Sequence, residues 1–378
     1  MISDYMARAL NLAAKGIYST SPNPRVGCVI VKDGQIVGEG FHQQAGKAHA
    51  EINALQQAGK NAAGADVYVT LEPCCHIGKT GACTDALINA KVRRVITALQ
   101  DPNPLVAGKG LAQLRAAGII TECGMLANQA HRLNKGFIKR MQYNRPYLTA
   151  KIAMSLDGKI AMQNGESKWI TSQHSRHKVQ QMRASSCAIL SSANSMIMDN
   201  SRLNVRFDEL NLPADILSLA QIRSPIRVAI DTKLRISLDS NFYRLPNALV
   251  VTCSNDHHKI KAIKDLGHQV LVLADNQNNQ AEPNHQNKRI NLDNLLSKLA
   301  DLDCNEVLLE TGSNLLASFI KANLIDEFAI FIAPKIMGSA AKSAFNLSIS
   351  KLVDAYPLKI TDIQSVGDDL LLTAFPAN

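Results

Sequence analysis

Residues 66–90 read DVYVTLEPCCHIGKTGACTDALINA. Asp66–Leu71 reads as a strand, and Pro73-Cys74 follows directly on its end. Thr84–Ala90 has helical spacing, so Cys83 stands just before a predicted helix. Upstream, His49-Ala50-Glu51 opens a further predicted helix, Ala48–Gln57. Before that, the nearly continuous apolar run Val26–Lys32, the turn Asp33-Gly34 and Ile36–Phe41 read as a hairpin. Asp4–Lys15 and Gly108–Ala117 read as helices, and Arg94–Ala98 as a strand. Helices between strands imply a layered α/β domain.

A histidine with two thiolates, here His49, Cys74 and Cys83, is a three-ligand zinc set that leaves a fourth position for water. Zinc lowers the pKa of that water toward neutrality. Glu51 is not needed as a ligand and can carry protons between the water and a leaving ammonia. That is its role in the zinc deaminases, whose signature is H-x-E…P-C-x-x-C. In this chain eight residues separate Cys74 from Cys83 instead of two. A structural site built from Cys74, Cys75, His76 and Cys83 is the alternative. The Pro-Cys pair favours Cys74 as the ligand and leaves Cys75 as a packing or pocket residue.

The chain has 378 residues, and at roughly 150 per domain it holds two or three domains. Its 46% hydrophobic and 19% charged residues exclude a disordered, collagenous or coiled-coil protein. No apolar run approaches the ~20 residues of a membrane helix, and the first residues carry no secretory pattern, so a cytoplasmic protein is expected. A net charge of +9 is compatible with nucleic acid, a membrane surface or a phosphorylated small molecule. An aromatic content of only 4%, and the lack of an RNA-binding motif in the second half, count against a nucleic-acid deaminase. Asn128–Pro146 reads as a basic helical connector. A second α/β pattern begins at Tyr147–Met154, with strands expected at Cys187–Leu190, Arg227–Ile230, Ala248–Thr252, Gln269–Leu273, Glu306–Glu310 and Glu327–Ile332. Asp275–Lys288, rich in Asn and Gln, reads as a surface loop. The turn Thr311-Gly312-Ser313-Asn314, between a strand and a helix, can hold a phosphate on the helix N-terminus.

Taken together, Ser21-Pro22-Asn23-Pro24-Arg25-Val26-Gly27-Cys28-Val29-Ile30-Val31, His49-Ala50-Glu51, Leu71-Glu72-Pro73-Cys74, the Cys83 spacing and Asp101-Pro102-Asn103-Pro104 resemble the bacterial bifunctional riboflavin-biosynthesis deaminase/reductase family. The resemblance covers essentially the whole chain. It implies a cytidine-deaminase-like three-layer α/β/α domain over residues 1–145 and a dihydrofolate-reductase-like α/β domain over 146–378. The first would deaminate a phosphoribosylamino-diaminopyrimidine. It implies one zinc ion per chain on His49, Cys74 and Cys83, proton transfer by Glu51, and a pocket lined by Asn23, His76, Lys79, Asp101 and Asn103. The second would reduce the ribosyl group with NADPH. Ala153, Ser167, Trp169, Ser195, Asp199, Gly312, Ser313, Asn314, Leu315, Leu316, Ala317 and Ser318 would contact the cofactor. Arg183, Leu203, Arg206 and Glu310 would contact substrate, with Lys151 and Asp199 near the reacting carbon. The resemblance also implies a homo-oligomer, most simply a dimer with paired reductase halves, and no nucleic-acid or membrane partner. One stretch departs from the family's Gly-Thr-Val-Leu-x-Asp-Asp-Pro. It reads Asn194-Ser195-Met196-Ile197-Met198-Asp199-Asn200-Ser201, and loss of the proline is expected to loosen that turn.

Overall fold

In the computed structural model, which describes residues 2–75, 81–213, 216, 221–273 and 289–377, the apolar run after Arg25 becomes β1 (Gly27–Lys32). Asp33-Gly34 turns it back into β2 (Gln35–Phe41), with φ of 49° and 78° at the two turn residues. Asp tolerates that left-handed region and Gly adopts it freely. On its other side β1 pairs antiparallel with β3 (Asp66–Val69). The parallel strands β4 (Arg94–Thr97) and β5 (Ile120–Cys123) complete the order β2-β1-β3-β4-β5.

Alternation along these strands supplies a core on each face. Val29, Val31, Tyr68 and Ile96 pack with Met6, Ala9 and Leu12 of α1 (Ile2–Ala14). Cys28, Ile30, Val67, Val69 and Val95 face the other way. They meet α2 (Ala50–Ala58), α3 (Cys83–Asn89) and α4 (Lys109–Ala116) through Ala50, Ala54, Leu87 and Leu114. The result is the expected three-layer α/β/α arrangement. Close approach of α2 to β2 requires glycine: a Cβ at Gly40 would stand 2.7 Å from Ala54 N and 2.8 Å from Ala50 O.

Two features differ from expectation. β5 is four residues long and largely exposed, so it lacks the apolar run that marks its neighbours. The connector is two helices, α5 (Ala127–Leu133) and α6 (Lys135–Tyr143), which meet at Asn134. The buried Asn134 side chain accepts from Arg25 N and donates to Arg25 O, both at 2.8 Å, and so acts as a strand-like partner for a residue far away in sequence.

One compact unit carries residues up to Arg145, with short segments ending at Arg223 and Asn305; the other begins at Pro146 and carries the rest. The second unit holds β6 (Tyr147–Ser155), β7 (Lys159–Ala161), β8 (Ala188–Ser192), β9 (Ile226–Ile230), β10 (Ala248–Thr252), β11 (Gln269–Val272), β12 (Glu306–Glu310), β13 (Glu327–Ala333), β14 (Lys342–Ser343), β15 (Leu358–Val366) and β16 (Asp369–Pro376). Its nine-stranded sheet runs β11-β10-β9-β8-β12-β6-β13-β16-β15, parallel up to β13 and antiparallel beyond. β7 and β14 pair separately. Helices α7 (Gln173–Ser185), α8 (Ala193–Asp199), α9 (His257–Asp265), α10 (Leu292–Asp301) and α11 (Ser313–Lys321) connect the strands. β15 and β16 lie outside the expected strands. A register shift between Ile360 and Asp362 interrupts the alternation by which β15 would be read. Residues 275–288, expected as a surface loop, lie outside the described residues. No helix among the described residues is long and apolar enough to cross a membrane.

The approach of α2 to β2 is tested by Gly40→Ala. The added methyl must push α2 away from the sheet, at about 1–3 kcal/mol of overpacking. Thermal unfolding of the first unit should shift down, and metal content should fall, because α2 carries His49 and Glu51 at its start.

Candidate active sites

His49 is the extended residue that precedes α2, Cys83 opens α3, and Cys74 lies beyond the end of β3. Their ligand atoms all lie within 4.8 Å of one another. His49 Nδ1 is 3.3 Å from Cys83 Sγ and 3.5 Å from Cys74 Sγ. Tetrahedral zinc with ordinary Zn–N and Zn–S bonds separates such pairs by roughly 3.6 Å, so the triad fits a zinc ion. Cys83 N–H donates to Cys74 Sγ at 3.4 Å, which favours a thiolate there. Hydrogen bonds from Cys83 and His49 hold Cys74 below the usual thiol range, and Cys74 in turn pushes Cys83 up. Cys75 is not in the cluster, and His76 and Lys79 lie outside the described residues.

Glu51, in the first turn of α2, is 3% exposed and not a member of the triad. Burial pushes its carboxyl up to about 7, against the pull of His49. Asn23 contacts His42, Nδ2 to Nε2, at 3.1 Å, while His42 Nδ1 meets Ala48 O at 3.1 Å. A carbonyl can only accept, so His42 carries its proton on Nδ1 and accepts from Asn23 on Nε2. Burial lowers the His42 pKa, in keeping with a neutral ring. The His42 ring stands edge-on to His49, 5.3 Å between centroids. Sequence reading missed His42, whose only signal is its place just after β2 and shortly before His49. Asp101 is buried, accepts from Asn103 N at 2.8 Å, and is pushed up to about 6 by burial. Asn103 Oδ1 accepts from Leu105 N at 3.0 Å, so its NH2 is the group that remains to meet a ligand.

The second unit contains a cavity of about 580 Å³. Lys151, Ala153, Ser167, Trp169, Arg183, Ser195, Asp199, Leu203, Arg206, Glu310 and the run from Gly312 to Leu316 all line it. Ala317 and Ser318 do not: Ala317 is buried, and Ser318 Oγ donates to Asn314 O within α11. Only the first turn of a helix offers free N–H groups, and α11, whose N-cap is Gly312, has no side-chain cap there. The β12/β6 register sets Glu310 opposite Lys151, with Lys151 Nζ 3.8 Å from Glu310 Oε2. Arg183 grips the same carboxylate from Nε (2.6 Å) and Nη2 (3.0 Å), and its Nη1 donates to Asn204 O at 2.8 Å. Burial favours the neutral acid, but Arg183 and Lys151 still hold Glu310 below the usual carboxylate range. Burial also pushes the Lys151 ammonium down. Arg206, paired with Glu209, is 41% exposed against 14% for Arg183, so it is the more accessible cation. Ser195 Oγ accepts from Gly312 N at 3.1 Å and joins α8 to the Gly-containing turn. Trp169 is 57% exposed, with the Arg176 guanidinium 4.6 Å from its ring centroid, so it stands at the rim and not in the core. Arg176, Gln180 and Lys342 also line the cavity, and sequence reading missed them. Two-residue β14, which carries Lys342, has no periodicity to find.

The turn after Asp199 carries hydrogen bonds of its own. Asn200, at φ 43°, accepts from Asn241 N on Oδ1 (3.0 Å) and from Asn241 Nδ2 on its backbone oxygen (3.2 Å). Ser201 N–H donates to Met196 O at 3.3 Å, a bond proline could not make. Ser201 Oγ accepts from Leu203 N at 3.2 Å. Asn200→Ala removes the side-chain clasp and puts a Cβ-bearing residue without local hydrogen bonding into the left-handed region, at about 1–2 kcal/mol. Reductase kcat/KM should fall roughly tenfold, with deaminase activity unchanged as the internal control. Asn200→Asp keeps the acceptor and should keep most activity.

Residues 1–99 match the cytidine and deoxycytidylate deaminase zinc-binding region, and residues 146–372 match the RibD C-terminal domain. The riboflavin biosynthesis protein RibD of Haemophilus influenzae is 44% identical over 98% of this chain and 96% of its own length. The Escherichia coli protein of the same name is 43% identical over 97% of each. The structure of Acinetobacter baumannii RibD, form 1, superposes with a TM-score of 0.89 at 39% identity, over 100% of this chain and 99% of that one. A Thermotoga maritima structure superposes with a TM-score of 0.83 at 32% identity, over 99% and 98%. It is described as a diaminohydroxyphosphoribosylaminopyrimidine deaminase/5-amino-6-(5-phosphoribosylamino)uracil reductase. Because this similarity runs through both units, which a nucleic-acid deaminase with an unrelated binding domain would not give, the chain belongs to the RibD family of riboflavin-biosynthesis proteins, which join a zinc-binding deaminase domain to a reductase domain.

Proposed function

We propose that residues 1–145 deaminate 2,5-diamino-6-(5-phosphoribosylamino)pyrimidin-4(3H)-one, and that residues 146–378 then reduce its ribosyl group to give 5-amino-6-(5-phosphoribitylamino)uracil. The observation that carries the first step is the buried Glu51 carboxyl beside, but outside, the His49/Cys74/Cys83 cluster. A structural zinc site takes four protein ligands and has no use for a free carboxyl. One zinc ion per chain on those three residues supplies, when bound, water of lowered pKa. Glu51 takes a proton from the attacking water and passes it to the amine, which leaves as ammonia. A buried carboxyl beside the triad and free of it can both accept and release that proton. Asn23, oriented by His42, reads the pyrimidine edge. Asp101 and Asn103, with His76 and Lys79, complete the pocket.

For the second step NADPH, when bound, supplies a hydride. The first turn of α11 and Ser195 receive cofactor phosphate, and Ala153, Ser167, Trp169 and Asp199 line its seat. Arg206, next to Leu203, meets the substrate phosphate. Arg183 holds Glu310 in place. Addition of hydride to the anomeric carbon breaks its bond to the ring oxygen, which must gain a proton. Lys151, an acid strengthened by burial, is the donor we assign.

We further propose a cytoplasmic homodimer with its reductase halves paired. In support, β15 is the edge strand of the sheet, and its Ile360 and Ile363 are 52% and 59% exposed. Ile360→Asp with Ile363→Asp should convert dimer to monomer in sedimentation.

Glu51→Gln tests the chemistry. The variant should retain one zinc per chain, release ammonia at least about 100-fold more slowly, and oxidise NADPH normally on substrate already deaminated. Ammonia release at the wild-type rate would remove Glu51 from the mechanism.

A further inference from the structure

We infer that Glu72 is a positioning residue of the deaminase unit, a carboxylate clamp that ties the segment bearing Cys74 to the substrate-facing loop Asp101–Asn103. The inference rests on the deaminase reading above and goes beyond it, because Glu72 is not a member of the triad and meets the pocket only through the backbone amide of Asp101.

Glu72 is 3% exposed, yet no cation pairs with it among the described contacts. Its charge is met by three backbone donors instead. Oε2 accepts from Asp101 N at 3.1 Å and from Gly108 N at 2.9 Å, and Oε1 accepts from Leu111 N at 3.0 Å. Gly108 is the N-cap of α4, at φ 87°, and has no side chain with which to cap the helix. Glu72 supplies that cap from another part of the chain. The same carboxylate oxygen that caps α4 also holds the amide of Asp101, whose own carboxylate organises Asn103. The clamp has a second contact: a Cβ at Gly110 would lie 2.2 Å from Pro73 O, so α4 rests directly on the Glu72-Pro73 backbone. Glu72 N–H donates to Leu99 O at 2.9 Å, closing the connection to the end of β4. Cys74 follows two residues later. Ligand segment, helix α4 and pocket loop are thereby held in one frame through one side chain. Glutamine at this position keeps length and shape but turns an NH2 toward a backbone donor, so at least one of the three bonds must break.

The test uses the full-length, zinc-loaded chain with Glu72→Gln. Zinc per chain, deaminase kcat and KM, reductase turnover of substrate already deaminated, and exchange of the Gly108 and Leu111 amide protons are measured. Zinc should stay at one per chain and reductase turnover should be unchanged. Deaminase kcat/KM should fall roughly 10- to 100-fold, chiefly through KM, and the two amides should exchange faster. Glu72→Ala, which removes both acceptor oxygens, should give the same pattern. Wild-type deamination by both variants would overturn the inference. So would zinc loss in step with activity, or an equal loss of reductase turnover, since either would make Glu72 a metal-retaining or general stability residue. A wild-type chain that released no ammonia would count against the deaminase reading itself, and the amide-exchange comparison would still read the clamp.

Discussion

A histidine and two cysteines far apart in the chain can meet only where the elements that carry them end together. Here that point is the end of β3, toward which the starts of α2 and α3 converge. The constraint is set by packing: α2 approaches β2 closely enough to exclude even a methyl at Gly40. It then delivers His49 from its N-cap and Glu51 from its first turn. The spacing of two residues puts one side chain on the metal and turns the other into the buried space beside it. The start of α3 also turns its first N–H, that of Cys83, onto Cys74 Sγ, which favours the negative charge of a thiolate.

The second unit solves a similar problem by strand register. Parallel pairing of β12 with β6 sets Glu310 against Lys151, and α7 brings Arg183 across both. A one-residue slip would turn these side chains to the opposite face. In β6, where buried Leu148, Ala150 and Ile152 alternate with half-buried neighbours, the slip would carry those apolar side chains to the face that Lys151 now occupies. The hydrophobic pattern of the sheet thus determines the polar geometry of the cavity.

What could be read from the sequence was what is local. His49-Ala50-Glu51, Pro73-Cys74 and Cys83 announce themselves because a strand end and two helix starts are visible in the residues around them. The hairpin at Asp33-Gly34 is legible for the same reason. His42 and Glu72 were not, because each acts through partners in other elements, and neither burial nor hydrogen bonding is written in the neighbouring residues. β5 and β15 escaped because one is short and exposed and the other carries a register shift. The reductase cavity was legible only through resemblance, since strand-turn-helix with glycine is common in α/β proteins. At Asn200 and Ser201 the departure from the family pattern has two effects that the sequence does not weigh. Replacing a proline frees φ, but it also restores an N–H, and that N–H found Met196 O.

The two units use buried glutamate in opposite ways. Glu51 has no cation held against it by hydrogen bonds, so burial dominates and raises its pKa to about 7. Glu310 is only partly exposed too, but the Arg183 fork and Lys151 outweigh burial and keep it ionised. A proton carrier must change its charge during the reaction, and an anchor must not. One difference is plain in the contacts: a guanidinium supplies two parallel donors to Glu310, and among the described residues no guanidinium is bonded to Glu51. Two identical side chains in one polypeptide are thereby assigned different work by what surrounds them, and each environment suits the chemistry of its own unit.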